Sequence, residues 1–181
     1  MQGSELLIEG ADHLNAESWD AVLAKLPGYL DSLLNSAIYG RGEDRVAAPK
    51  QHGVYLFTED ANHLYVGRCG LTERAKRVGK GHSNFRTRLA GHSCPGSAHN
   101  SATFAWRLTF EIMGSQLDGM PQTRAELQLH PPFREEFLRQ KERVTAMDFR
   151  VLQISDDFES YVFEAYAARN LKTPYNAWAT S

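Results

Sequence analysis

The chain predicts an α+β fold on three observations. Two strand-like runs, Gly53–Thr58 and His63–Gly67, flank the turn-forming Glu59-Asp60-Ala61-Asn62. A third run, Phe149–Ile154, alternates apolar and polar residues, and helical spacing of apolar residues recurs before, between and after the strands. The expected architecture is a small three-stranded sheet flanked by helices, with an N-terminal helical appendage over residues 1–48. The main domain is expected over residues 49–181, with a helical insertion at about 93–146. At 181 residues, with 42% hydrophobic and 23% charged side chains, the composition is that of an ordinary globular chain able to bury a core.

Each element has its own local warrant. Trp19, Val22, Leu23 and Leu26 follow three-four spacing, and Pro27-Gly28 is expected to break that helix. Leu30, Leu33, Leu34 and Ile38 continue the helical pattern after the break, and the polar stretch Arg41–His52, with Pro49, reads as a linker. Valine, tyrosine and phenylalanine favour strand in the two runs around the turn. Phe85–His92 reads as a helix, as do Ala102–Met113 and Pro132–Val144, the last opening on Pro131-Pro132, where proline is tolerated. Ser155-Asp156-Asp157 can cap a helix over Phe158–Leu171, and Pro174 stops it.

Bulk properties narrow the function class. No apolar run approaches the roughly eighteen residues that cross a bilayer, so no membrane partner is expected. Met1–Gly10 lacks a basic segment followed by an apolar one, and two cysteines make no disulfide framework, so a cytoplasmic location is expected. The net charge of -2 conceals a polarised distribution. Arg68, Arg74, Lys76, Arg77, Lys80, Arg86 and Arg88 face one acid, Glu73, within a stretch of net charge +6, leaving -8 elsewhere. Such a run is either a solvated surface or a grip on a polyanion. Its place between the strand pair and the Arg88 helix favours the grip.

Six polar positions carry a possible chemistry. Hydrolysis of a phosphodiester needs cations at the phosphate oxygens, a base for the attacking water and a carboxylate for a divalent metal. Arg88 and His92, at i and i+4, share one helix face; arginine binds phosphate through two donors, and histidine exchanges protons near neutrality. Glu164 is an acid in an otherwise apolar helical stretch, and carboxylate oxygen suits Mg2+ or Mn2+. Tyr55 and Tyr65 could hold water or phosphate oxygens, and Asn176 follows the turn at Pro174. Taken singly, each has a plainer explanation: packing for the tyrosines, helix-end charge for His92, a surface pair for Glu164, turn formation for Asn176. Their joint order lifts them above it. Competing patterns fail: Cys69, His82, His92, Cys94 and His99 lack zinc-type pairing, and Gly79-Lys80-Gly81 lacks the rest of a phosphate loop.

Gly53-Val54-Tyr55, Tyr65-Val66-Gly67, Arg88-Leu89-Ala90-Gly91-His92, Glu164 and Pro174-Tyr175-Asn176, in that order, resemble the GIY-YIG nuclease family. The resemblance covers roughly residues 53–92 and 149–176. It implies a three-stranded antiparallel sheet, Tyr55 and Tyr65 lining the site, Arg88 on the scissile phosphate, Glu164 on one divalent metal and Asn176 bracing the site. His92 falls where some members carry a histidine near the reacting phosphate, and either Tyr55 or His92 would activate water. Two departures from the compact pattern are the long basic stretch between Tyr65 and Arg88 and the segment Ser93–Ala146.

The expected function is a metal-dependent endonuclease on DNA. RNA is not separated from DNA by these residues. Arg68, Arg74, Lys76, Arg77, Lys80 and Arg86 are the expected nucleic-acid contacts, and apolar faces on the N-terminal helices would allow two chains to pair as a homodimer. The alternatives are a non-cleaving nucleic-acid-binding module on the same fold and an interaction protein built on the N-terminal helices.

Overall fold

The computed structural model describes residues 17–39, 48–70, 83–98, 100–121 and 123–176. Helix α1 (Glu17–Leu34) leads into β1 (Ile38–Tyr39), β2 (Gly53–Glu59) and β3 (Asn62–Cys69). Then come α2 (Phe85–Ser93), α3 (Thr103–Met113) with a 3-10 turn at Gly114–Leu117, α4 (Arg124–Leu129) and α5 (Pro131–Ala146). Strand β4 (Asp148–Gln153) and helix α6 (Asp157–Asn170) close the order. The α+β expectation holds. Among the described residues, no helix is long and apolar enough to cross a membrane.

The sheet is antiparallel in the order β1-β4-β2-β3, so it has four strands rather than three. The extra strand comes from Ile38, expected to prolong a helix, which with Tyr39 pairs with Arg150 and Phe149. The helix ends earlier because the Asn35 amide donates to the Asp31 carbonyl (2.8 Å) and the Ser36 hydroxyl to that of Leu33 (2.9 Å). The expected break at Pro27-Gly28 does not occur, and α1 runs through it. Pro27 lies on the exposed side, where water can reach the Leu23 carbonyl left without a helical donor. Val22, Leu26 and Leu33 meanwhile bury the opposite face.

Both faces of the sheet are covered, so β2 is buried along nearly its whole length. Strand alternation sends Tyr55 and Phe57 to one face and Val54 and Leu56 to the other. The first face packs Phe85, Leu89, Phe104, Trp106, Phe133 and Phe137 from α2, α3 and α5. The second packs Val22, Leu26 and Leu33 of α1 beside Phe163, Ala167 and Ala168 of α6. Thus α1 shares a core with α6, and the segment between α2 and β4 backs the helix that carries Arg88. The β2–β3 turn needs positive φ at both central residues, met here by Asp60 (49°) and Ala61 (65°) without a glycine.

Candidate active site

The edge strand β3 is where helices from opposite faces approach one another. There a cavity of about 340 Å3 opens, lined by Tyr55, Tyr65, Arg68, Arg88, Tyr161 and Glu164, with Cys69, Gly70 and Ser83. Beside it, two strand glycines have no room for a side chain. Gly53 has φ +146°, and a Cβ there would lie 2.2 Å from the Leu152 carbonyl oxygen. At Gly67, opposite Tyr55 in the β2–β3 register, a Cβ would fall 2.4 Å from both the phenol oxygen and its ring carbon. The flat ring of Tyr55 therefore lies directly against a strand position that has no side chain.

Helix α2 is started by a capping box. The Asn84 side chain accepts from the Thr87 backbone N–H (2.9 Å), and the Thr87 hydroxyl accepts from the Asn84 N–H (3.0 Å). This fixes the phase of the helix, and the i, i+4 pair converges on one atom. Arg88 Nε donates to the Tyr55 hydroxyl at 3.1 Å, and that hydroxyl shares a 2.8 Å hydrogen bond with His92 Nε2. His92 is fully buried between Tyr55, Phe57 and Tyr65 and does not line the cavity. It therefore cannot touch a water in the cavity directly; Tyr55 stands between. Burial, and secondarily Arg88, hold its imidazole well below the usual histidine range, so it is neutral at pH 7. Burial also pushes the Tyr55 and Tyr65 phenols up, opposed by Arg88.

Glu164 projects from α6, capped at its start by Asp156, whose side chain accepts from the Glu159 N–H (2.8 Å). Desolvation raises its carboxyl above the ordinary value, while Arg68 and Arg88 pull it back. Arg68 Nε lies 3.4 Å from Glu164 Oε2, with 13% and 14% of the two side chains exposed. The Arg68 guanidinium also stacks on Tyr161, 3.1 Å from the ring centroid. Tyr161 escaped the sequence reading, although it stands three residues before Glu164 on the same helix face.

Asn176 is not among the cavity-lining residues. Its Oδ1 accepts from the Val66 N–H (2.9 Å) and its Nδ2 donates to the Val66 carbonyl (2.7 Å), so one amide plays the part of a missing neighbour for β3. The Thr173 hydroxyl donates to the same Oδ1 at 2.8 Å. The turn that brings it there leaves α6 through Lys172 at φ 51°, with the Thr173 N–H returning to the Ala168 carbonyl. Asn176 is thus a positioning residue, holding the strand that carries Tyr65, Gly67 and Arg68.

Of the expected nucleic-acid contacts, Arg68 lines the cavity, whereas Arg86 donates from Nε to the Ala48 carbonyl at 3.3 Å. Arg74, Lys76, Arg77 and Lys80 lie outside the described residues. No group of three or more metal-ligating side chains occurs among the described residues, and Glu164 is the one carboxylate among those lining the cavity. That donor set fits a magnesium-like ion, which takes one or two carboxylates and completes its shell with water and substrate phosphate. No family model, curated protein or solved structure matches this chain.

Proposed function

We propose that this protein is a metal-dependent endonuclease of the GIY-YIG type, hydrolysing phosphodiester bonds in DNA. The observation that carries the reading is the convergence of Arg88 and His92 on the Tyr55 hydroxyl in a cavity that also presents Glu164. Four of the six ordered positions line the cavity, His92 backs the Tyr55 hydroxyl from behind, and Asn176 braces β3.

The residues divide the work as follows. Arg88 reaches the cavity with donors beyond the Nε spent on Tyr55, and these can bind a non-bridging phosphate oxygen. Glu164 would hold Mg2+ or Mn2+, which supplies charge neutralisation at the phosphate and leaving oxygen. Tyr55 has no exposed surface in the free protein, so the relay needs a water drawn in against its hydroxyl as substrate binds. That water passes a proton to the phenol oxygen as the phenol proton moves to His92 Nε2. Hydroxide attacks phosphorus, the bridging P–O bond breaks, and the departing oxygen takes a proton from solvent. Arg88, donating to the phenol oxygen throughout, limits charge build-up on it. The basic run from Arg74 to Lys80 supplies the sequence-independent grip on the backbone.

Plasmid DNA incubated with the protein and Mg2+ or Mn2+, beside a Glu164→Gln variant shown to be folded, tests this. The expected result is metal-dependent nicking that the variant loses by at least about 100-fold. Equal cutting by the variant removes Glu164 from the mechanism. No cutting by either, with tight salt-sensitive binding, makes the protein a non-cleaving nucleic-acid-binding module.

A further inference from the structure

Glu164 is already engaged by a cation of the protein itself. Arg68 holds one carboxylate oxygen at 3.4 Å, a separation that marks an ion pair open to exchange rather than a short hydrogen bond. What fixes Arg68 there is the ring of Tyr161, stacked at 3.1 Å, on the residue three before Glu164. Strand alternation explains the geometry: Arg68 follows Gly67 on β3 and points toward the α6 side, whereas Tyr65 and Gly67 face Tyr55.

The charge balance of the cavity is also unusual for a metal site. Among its described lining residues are two guanidiniums, Arg68 and Arg88, and one carboxylate, Glu164. A divalent cation entering alone meets net positive charge, and its ligand is occupied. A phosphodiester reverses both conditions, because it adds negative charge and its phosphate oxygens can pair with the two guanidiniums.

We infer that Arg68, clamped by Tyr161, is an exchangeable latch on Glu164 that makes metal loading depend on the arrival of the phosphate. The inference rests on the nuclease reading for the identity of the phosphate, though not for the latch itself. When the backbone enters, the Arg68 guanidinium leaves the carboxylate for a phosphate oxygen, and Glu164 becomes free for the metal. Metal and nucleic acid thus load cooperatively, and the free protein binds the ion weakly.

Mn2+ binding to the free protein, followed by the electron paramagnetic resonance of unbound Mn2+, tests the latch without requiring turnover. Arg68→Ala should tighten Mn2+ binding about tenfold, the factor carried by one pKa unit of interaction. Tyr161→Leu removes the ring and no charge, and should tighten binding severalfold. Both gains should vanish when Glu164→Gln is added. Unchanged or weaker binding in both single variants overturns the latch, as does a gain that survives Glu164→Gln. Should Arg68→Ala fail to fold, Tyr161→Leu alone decides, since simple charge removal predicts no change there. Wild-type nicking with unaltered Mn2+ affinity in the variants sinks the latch and leaves the nuclease; tightened affinity without nicking does the reverse.

Discussion

Replacing Asn176 should damage stability more than chemistry. Its amide satisfies both backbone groups of Val66, a residue with no exposed surface on the outer edge of β3. In Asn176→Ala both groups lose their partner inside the protein. A buried polar group left unpaired costs about 1–3 kcal/mol, so the pair should cost about 2–5 kcal/mol, less where water enters the vacated space. For a chain of this size that lowers the melting temperature by roughly 5–15 °C. Asn176→Asp sharpens the test. The carboxylate keeps the bond from the Val66 N–H but turns an oxygen toward the Val66 carbonyl, where Nδ2 stood at 2.7 Å. At pH 7 it should be no more stable than the alanine variant. Protonated, that oxygen can donate to the carbonyl, so the folded pKa of the new acid is raised. Its stabilising contribution is then present below the unfolded value and lost as pH rises through the folded one. Equilibrium urea unfolding at pH 7 and pH 4, against wild type at each pH, reads all of this. An alanine variant within 0.5 kcal/mol of wild type (about the scatter of ordinary surface substitutions) would refute the bracing role. So would an aspartate variant more stable than it at pH 7.

Two further outcomes follow from the site's geometry. Gly67→Ala drives a Cβ into the ring of Tyr55, which is buried among Phe57, Tyr65, His92 and Phe149 and has no room to withdraw. It should destabilise by about 1–3 kcal/mol and, by shifting the phenol oxygen by ~1 Å, lower cleavage about 100-fold; unchanged unfolding with near-normal cleavage would show that β3 yields freely. His92 is held neutral in the folded state while the unfolded imidazole takes a proton near its ordinary value. Because the unfolded chain then binds more protons, wild-type stability should fall as pH drops below about 6.5, by up to about 1.4 kcal/mol per pH unit. Urea midpoints between pH 7.5 and 5 should fall less steeply in His92→Gln, and parallel curves for the two proteins would contradict the burial argument.

Local sequence patterns were enough to locate most of the helices and three strands, because capping residues, three-four spacing and alternation act over a few residues. Asn84 with Thr87, Asp156 before α6 and the alternation through Val54–Phe57 each operate within one element. The helical phase of Arg88 and His92 was legible for the same reason. Pro27 and Ile38 misled because distant partners outweigh local preference: a buried stripe keeps α1 intact, and the edge of β4 recruits Ile38 and Tyr39.

What tertiary structure alone decided is the division of labour among the six positions. The sequence supplied the residue types and their order, and nothing in that order says which faces the cavity. Folding buries His92 behind Tyr55, turns Asn176 onto the backbone of β3, and joins Glu164 to Arg68 under Tyr161. These contacts join residues 37 to 110 positions apart in the chain. They depend on strand register and on two helices meeting from opposite faces at one sheet edge, and neither is a property of any short stretch of chain.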